Sequence, residues 1–290
     1  MTQPGLDSGL DSGPPAFGAR LRMAMDGRGP LCAGIDPHAG LLEAWGLTDS
    51  VNGLEKFALG AAEALAPQVA AVKPQSAFFE RFGSRGIEVL ERVIATSREA
   101  GALVVLDVKR GDIGSTAQAY ADAYLDPRSP IAVDAITASP FLGFGSLEPM
   151  LTTARAHAKG VFVLALTSNP EAPQFQHART EAGTSVGGSV LNELRTLNAD
   201  AAPMGSFGAV VGATIADTEE DLAVNGPLLV PGIGAQGGTA DDVRRIFGDV
   251  IDFVLPSSSR EILGAGPDPG AMHSAVGRSL DAFSAVRSGQ

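Results

Sequence analysis

Short apolar runs alternate with segments of helical periodicity along most of the chain. The runs are rich in Val, Ile, Leu and Ala, which is typical of strands buried on both faces. The segments between them place apolar residues on one face of a helix. Eight strands are predicted, at residues 31–35, 69–72, 103–109, 131–136, 161–166, 208–212, 228–231 and 251–255. The predicted helices cover residues 16–24, 51–65, 85–99, 115–124, 146–157, 186–198, 217–224, 240–247 and 269–286.

The order of these elements predicts the fold. Eight strand-then-helix units follow one another without a domain-sized linker. This alternation predicts a parallel sheet, and eight units in about 250 residues match a closed (β/α)8 TIM barrel. We therefore predict one α/β domain over residues 16–290, with a doubly wound open sheet as the alternative. Residues 1–15 repeat Gly-Leu-Asp-Ser-Gly and lack the basic and apolar regions of a signal peptide, which predicts a flexible tail.

Composition and charge exclude some kinds of partner. The formal net charge of −12 opposes nonspecific nucleic-acid binding, because a phosphate backbone would be repelled. No apolar run approaches the roughly 20 residues of a membrane span. Cys32 is the single cysteine, so no intramolecular disulfide or cysteine metal site can form, which fits a reducing, cytoplasmic location. We expect neither nucleic acid nor a membrane as a partner.

Polar residues cluster where the predicted strands end. In a barrel of this kind the site forms from the loops that follow the strands. The residues at these ends are Asp36, Lys73, Asp107, Lys109, Ser168, Gln236 and Arg260. The strand beginnings carry no comparable set, so we predict the site at the carboxyl end of the barrel.

Three of these residues combine opposite charges. Asp107 and Lys109 stand two apart, so their side chains should point to the same side of the third strand. Lys73 ends the neighbouring strand, and the three would form an alternating line in which each group keeps its charge. Because burying such charges is costly, the pattern favours an active-site floor over the alternative, a solvated ion pair. The ammonium groups also weigh against a bound divalent metal.

Two loops are suited to binding a phosphate. Residues 232–238 form a glycine-rich loop that opens a helix, and residues 257–260 add three serines and Arg260. The loops after strands seven and eight commonly bind phosphate in this fold, and a guanidinium pairs with phosphate oxygens. The alternative is that the glycines only form turns and that Arg260 is a surface cation. The long polar segment 171–184 is a candidate mobile lid. The four histidines, His38 among them, show no ligand spacing.

An ordered set of motifs resembles the orotidine 5′-phosphate decarboxylase family. Residues 107–112 match its Asp-x-Lys-x-x-Asp motif, in which Asp112 is the last acid. Further matches follow in the family's order at residues 34–37, 72–75, 167–170, 231–236 and 259–260. Residues 73–80 and 138–143 are similar to the longer bacterial branch, including actinobacterial members. The exit of strand eight is longer and richer in serine than the short Gly-Arg form of other branches, so the serine that would contact phosphate stays open.

The resemblance implies a cofactor-free decarboxylation of orotidine 5′-phosphate to UMP, the last step of de novo UMP synthesis. It implies Lys109 as the proton donor to C6 of the pyrimidine and Asp107 beside the departing carboxylate. Lys73 would hold the charge network and touch a ribose hydroxyl. The other substrate contacts that it implies are Asp36 at the ribose, Ser168 at the pyrimidine amide, and Gln236 and Arg260 at the phosphate.

The resemblance also implies a homodimer with shared active sites. Asp112, with Ile113 and Thr116, would reach into the other subunit's site. Two other functions stay open at this point. The first is a Mg²⁺-dependent sugar-phosphate synthase or decarboxylase of the same superfamily, whose members carry an acidic metal ligand where this chain has Lys73. The second is a catalytically silent nucleotide-binding barrel, against which the intact Lys109 and Asp107 speak.

Overall fold

The strands form a closed parallel barrel, as predicted. The computed structural model describes residues 13–215, 218–232, 238 and 240–288. The strands are β1 (Cys32–Ile35), β2 (Ala71–Pro74), β3 (Leu103–Arg110), β4 (Ala135–Ala138), β5 (Gly160–Leu166), β6 (Phe207–Val211), β7 (Leu228–Pro231) and β8 (Val254–Ser258). Each pairs with its neighbours in chain order, and β8 pairs with β1 to close the ring. The (β/α)8 TIM barrel is therefore confirmed.

Helices surround the barrel and connect its strands. They are α1 (Phe17–Arg28), α2 (Ala39–Ala44), α3 (Val51–Leu65), α4 (Ala77–Glu80), α5 (Ser84–Glu99), α6 (Gly114–Leu125), α7 (Glu148–Ala156), α8 (Ala172–Gln176), α9 (Val186–Leu197), α10 (Ala240–Phe247), α11 (Arg260–Leu263) and α12 (Pro269–Ser288). None of the helices in the described ranges is long and apolar enough to cross a membrane. The start of helix α3 follows from its local sequence. The Ser50 hydroxyl accepts a hydrogen bond from the Gly53 amide and so caps the amino terminus of the helix.

The apolar core has two parts. The larger part lies between the outer face of the barrel and the helices, and the smaller part fills the barrel interior. Helix α1 closes the amino-terminal base by burying Phe17, Leu21 and Met25 against that interior. The Phe17 ring meets Phe162 of β5 edge-on at 6.0 Å between centroids. Position 160 must be glycine here, because a Cβ would come within 2.3 Å of the Phe17 ring.

A cluster of charges ties α1 to the base. Asp134, just before β4, is buried and accepts hydrogen bonds from Arg20 of α1 at 2.8 Å and from the Val104 amide at 3.0 Å. Arg98 of α5 lies 3.6 Å from the same carboxylate, and the buried Lys159 lies 3.8 Å from it. Burial opposes ionisation of Asp134, but Arg20, Lys159 and the Val104 amide outweigh it and lower the pKa of that carboxyl.

Three predicted elements need correction. The fourth and eighth strands were predicted to begin at residues 131 and 251, but they begin at Ala135 and Val254. Ala132 and Val133 before β4 are buried without being strand, whereas residues 251–253 before β8 end a short 3-10 helix and are partly buried or exposed. Apolar character alone therefore suggested strand at both places. The predicted helix over 217–224 is wrong in its described part, residues 218–224. Its side chains bond the local backbone instead, as Asp221 does in accepting from the Ala223 amide, and such bonds compete with a helix.

Candidate active site

The predicted line of alternating charges forms at the carboxyl end of β2 and β3. Lys73 donates a hydrogen bond to Asp107 Oδ2 at 3.3 Å, and Lys109 donates to Asp107 Oδ1 at 2.6 Å. Lys73 and Asp107 are buried, whereas the Lys109 side chain is 47% exposed. One carboxylate thus lies between two ammonium groups, of which only Lys109 reaches readily into open space.

The backbone that brings Lys109 to Asp107 is not a regular strand. Leu106 pairs with Ile136 but Arg110 pairs with Ala138, so β3 bulges between them. Within the bulge Lys109 adopts φ of +45°, a left-handed conformation that is costly for any residue with a side chain. The prediction that Asp107 and Lys109 meet on one side is therefore correct, but a bulge rather than the two-residue period of a strand brings them together.

Thr137 of β4 holds the bulge in place. Its hydroxyl donates to Asp107 Oδ1 at 2.7 Å and accepts from the amides of Val108 at 3.1 Å and Lys109 at 2.9 Å. Thr137 is buried, and it was not among the site residues predicted from the sequence. The available signal was a hydroxyl inside the otherwise apolar run of β4, where a buried polar group needs partners.

The electrostatics of the line keep its two buried members, Asp107 and Lys73, ionised. Burial opposes ionisation of Asp107, but Lys73 and Lys109 outweigh it and hold the pKa of that carboxyl below its usual value. Burial likewise opposes the charge on Lys73, but Asp36 and Asp107 outweigh it and raise the pKa of its ammonium group. The site therefore presents fixed charges of both signs at neutral pH.

Two cavities meet at this line. The first, of about 310 Å³, opens between the ends of β1, β2, β7 and β8. Its lining includes Asp36, His38, Gln75, Phe78, Ser259 and Arg260. The second, of about 240 Å³, opens toward β5 and β6 and has an apolar floor of Leu164, Val210 and Leu229. Lys73, Asp107 and Pro231 line both, so the charges lie at the junction of a polar and a largely apolar compartment.

The first cavity contains the predicted phosphate-binding groups that the structure describes. Arg260 follows β8 and lines it, as do Ser257 and Ser259. Ser259 packs closely on β1, since a Cβ added at Gly34 would lie 2.7 Å from the Cβ of Ser259. Ser258 instead faces a separate cavity beside α12, which removes it from the three candidate serines. Gln236 lies outside the described residues.

The ends of the glycine-rich loop converge beside this cavity. Gly232 adopts φ of +99°, which a residue with a side chain rarely does. Its carbonyl accepts a hydrogen bond from the Gly238 amide at 3.0 Å. Gly232 and Gly238 are therefore hydrogen-bonded to each other, and Gly232 lines the same cavity as Arg260.

The second cavity is lined by Ser168 at the end of β5. Close packing on β6 positions it, since a Cβ at Gly212 would lie 2.8 Å from the Ser168 Cβ. The candidate lid 171–184 begins just after it and contains α8. Gln176 of α8 anchors that segment by accepting from the Thr167 amide and donating to the Thr167 hydroxyl, both at 2.8 Å. Closure of the segment stays a prediction.

Asp112 lies apart from the charge line within one chain. It lines neither cavity, and its Oδ1 accepts from the Ile113 amide at 2.8 Å. Ile113 and Thr116 are exposed at the start of α6. The structure thus brings Lys73, Asp107 and Lys109 together but leaves Asp112, Ile113 and Thr116 on an outer surface.

The described residues offer little for a metal ion. Within those ranges no group of three or more His, Cys, Asp or Glu side chains is arranged to hold one. Cys32 lies in β1 inside the barrel, where burial raises the pKa of its thiol to about 12. Cys32 is a small, fully buried core residue.

Comparisons with known proteins agree with this geometry. The profile of the orotidine 5′-phosphate decarboxylase / HUMPS family matches residues 29–275. A protein of Nocardioides sp. named orotidine 5′-phosphate decarboxylase is 68% identical over 268 residues, 91% of this chain and 97% of the relative. One of Streptomyces coelicolor with the same name is 57% identical over 263 residues, 90% and 95% of the two chains.

Solved structures show the same likeness. A Streptomyces avermitilis crystal structure assigned to orotidine 5′-phosphate decarboxylase superposes with a TM-score of 0.93 at 53% identity, over 98% of this chain and 100% of that one. An OMP decarboxylase structure from Leishmania donovani superposes with a TM-score of 0.74 at 30% identity, over 94% and 99%.

Proposed function

The chain belongs to the orotidine 5′-phosphate decarboxylase / HUMPS family, and we propose that it decarboxylates orotidine 5′-phosphate to UMP and CO2 without a cofactor. The observation that carries this proposal is the Lys73–Asp107–Lys109 line at the junction of the two cavities. The magnesium-dependent branch would have an acidic metal ligand at the end of β2, where this chain has a buried ammonium group. That substitution favours the decarboxylase over the sugar-phosphate enzymes.

The two cavities suit the two parts of the substrate. Arg260 and Ser259 would hold the phosphate in the polar cavity, with Gln236 expected to assist. Asp36 and Lys73 line the same cavity and would contact ribose hydroxyls. The pyrimidine would occupy the cavity floored by Leu164, Val210 and Leu229, with Ser168 at its amide edge. C6 of the ring would then lie at the junction, beside Lys109.

The chemistry follows from the charges at that junction. When the bond from C6 to the carboxylate carbon breaks, CO2 leaves and the electron pair stays on C6. The Lys109 ammonium group stabilises this carbanion and then donates its proton to C6. Asp107 would lie beside the departing carboxylate, and it holds the Lys109 ammonium group in position by accepting its hydrogen bond. Because the Lys109 side chain is half exposed, water can return its proton when the product has left.

We infer that the active enzyme is a homodimer. Asp112 is turned away from its own site, and an apolar surface surrounds it. Ile113 is 62% exposed, Phe141 68% and Leu142 52%, which is unusual for such large side chains. Gly111 packs against the Ser139 carbonyl, so the loops that carry these residues are adjacent. A second copy covering this surface would bring Asp112, Ile113 and Thr116 to the partner's site.

The charge and the cysteine content also indicate where the enzyme acts and which partners it does not bind. We propose a cytoplasmic enzyme that binds neither nucleic acid nor membranes, supported by the net charge of −12 and the lone reduced cysteine. Fractionation of cells followed by the decarboxylase assay checks this, and activity sedimenting with membranes would contradict it.

The ultraviolet absorbance change of orotidine 5′-phosphate tests the activity. We expect turnover that is unchanged by EDTA. Loss of turnover in EDTA with recovery on adding Mg²⁺ would favour the sugar-phosphate branch. Binding of UMP without any turnover would favour the silent nucleotide-binding barrel.

Subunit mixing tests the dimer. Asp112→Ala and Lys109→Ala proteins each lack one group, but a mixed dimer holds one intact site if sites are shared. We expect the mixture to regain activity that neither variant has alone. No recovery in a mixture shown by mass to exchange subunits would contradict shared sites.

A further inference from the structure

The polar cavity holds an unusual concentration of buried polar atoms without partners. Among the described residues seven buried side-chain atoms lack a hydrogen bond, and three of them belong to residues lining this cavity. They are Asp36 Oδ1, His38 Nε2 and Ser259 Oγ. Because leaving such an atom unpaired is costly, a group of three in one cavity indicates a ligand that supplies the missing partners.

Of these three residues, only His38 has no role in the sequence-based prediction. It directly follows the loop after β1 and begins α2 with its backbone carbonyl, which accepts from the Leu41 amide at 3.0 Å. The side chain takes no part in that helix start. Its ring instead packs on Phe78, which also lines the cavity, at 6.0 Å between centroids. The ring is therefore held in place while Nε2 stays unpaired.

The position of β1 in the barrel indicates which part of a ligand His38 would meet. β1 lies between β8, which Ser259 and Arg260 follow, and β2, which Gln75 follows. His38 therefore lines the cavity between the side of Ser259 and Arg260 and the side of Gln75. It does not line the second cavity, where the pyrimidine would lie.

We propose that His38 is a substrate-binding residue whose Nε2 hydrogen-bonds an oxygen of the ribose 5′-phosphate group. The identity of that ligand rests on the proposed function. The imidazole can donate or accept at Nε2, so either a phosphate oxygen or a ribose hydroxyl is a suitable partner. His38 contributes to binding and stands apart from the reacting atoms at Lys109.

Matched variants separate the hydrogen bond from the packing. His38→Phe keeps a ring against Phe78 but removes Nε2, whereas His38→Gln keeps an amide nitrogen at a similar reach. We expect His38→Phe to weaken UMP binding and raise KM about tenfold or more, with kcat changed by less than about threefold. His38→Gln should stay within about threefold of wild type. His157→Gln, at the base end after α7, is the control and should match wild type.

Calorimetric titration with UMP and with uridine identifies the partner oxygen. If His38 contacts the phosphate, His38→Phe weakens UMP binding alone; if it contacts the ribose, both ligands bind more weakly. Equal UMP affinity in His38→Phe and wild type would overturn the proposal, as would an equal loss in His38→Gln and His38→Phe. Wild-type protein that neither binds UMP nor decarboxylates orotidine 5′-phosphate would instead contradict the proposed function.

A measurement on the unmodified chain covers the case in which His38→Phe does not fold. In protein labelled with ¹⁵N-histidine, the His38 Nε2 resonance, assigned by its absence in His38→Gln, should shift when UMP is added. An Nε2 resonance that UMP leaves unmoved, in protein saturated with UMP, would overturn the proposal.

Discussion

The barrel buries one carboxylate among cations at each end, and the two clusters differ in what surrounds them. At the base, Asp134 meets Arg20, Arg98 and Lys159 under a helix that closes the barrel. At the mouth, Asp107 meets Lys73 and Lys109 beneath two cavities. Both carboxyl groups have a lowered pKa for the same reason, a surplus of positive neighbours that outweighs burial.

The difference shows how one motif can stabilise a fold or bind a ligand. The base cluster joins separate elements, since Arg20 also donates from α1 to the Ala158 carbonyl at 2.9 Å. The mouth cluster depends on a bulge with Lys109 at φ of +45° and adjoins polar atoms left without partners. Both clusters include a residue at positive φ and an unpaired atom, since at the base Ala158 adopts φ of +53° and Arg20 Nε lacks a partner. At the mouth, however, these features adjoin the two cavities that Asp107 lines. The base should therefore govern stability and the mouth turnover.

The largest expected effect is at the mouth. Lys109→Ala removes the group that we propose both stabilises the carbanion and donates the proton, so we expect turnover to fall at least about 10⁴-fold. The assay is the absorbance change of orotidine 5′-phosphate, with thermal unfolding as the check on folding. The matched lysine at the base, Lys159→Ala, should change turnover by less than about twofold. Near-normal turnover in Lys109→Ala would remove Lys109 from the donor role.

The second effect is at the base. Asp134→Asn leaves three cations without their carboxylate, so we expect the free energy of unfolding to fall by about 3 kcal/mol. Urea unfolding measures it, and kcat should be unchanged. Asp107→Asn, the same substitution at the mouth, should lower kcat and change the free energy of unfolding less than Asp134→Asn does. The reason is that water entering the cavities can solvate the freed ammonium groups. A larger loss of stability in Asp107→Asn than in Asp134→Asn would contradict the distinction between the two ends.

A smaller effect should come from Thr137, which joins fold and site. Thr137→Val keeps the shape but leaves the Val108 and Lys109 amides without an acceptor. We expect a loss of about 1–3 kcal/mol in unfolding free energy and roughly tenfold in kcat. Thr137→Ser restores the hydroxyl and should recover most of both. Full kcat in a folded Thr137→Val protein would show that the bulge holds Lys109 without this anchor.

The smallest effect concerns pH at the base. Burial lowers the pKa of Lys159 from 10.5 to about 8. Between those pH values the unfolded chain holds a proton on Lys159 that the folded chain has lost, so this lysine makes stability rise with pH there. Lys159→Met should remove that rise, as urea unfolding at about pH 7.5 and about pH 10 would show. An identical pH dependence in variant and wild type would contradict the lowered pKa.

The sequence predicted the barrel well but placed some strands too early. Periodicity found α3 and α10 with their observed ends, because amphipathic helices pack one face on the barrel. Strands β2, β4 and β8 end two or three residues later than predicted. Their last residues include Lys73, Thr137 and Ser257, polar side chains that belong to the site. Because these site residues are polar, a hydrophobicity pattern places the ends of their strands too early.

Features that depend on contacts between distant residues could not be predicted. The pairing of Asp107 with Lys73 followed from strand order, but the Thr137 anchor and the φ of Lys109 depend on the register between β3 and β4. Asp134 was predicted inside an apolar strand, and its three cations come from separate elements. His38 directly follows the motif at residues 34–37 but is not part of it, and only its place in the cavity gives it a role.

The packed interior and helix α1 together close the barrel at its amino-terminal base. Phe17, Leu21 and Met25 seal the floor, so anything that enters by the mouth must also leave by it. For the proposed reaction the two products share one exit. Carbon dioxide is small and uncharged and can pass a bound nucleotide, whereas UMP would first have to release its phosphate from Arg260, the residue that we propose binds it. The closed base therefore predicts that CO2 leaves before UMP.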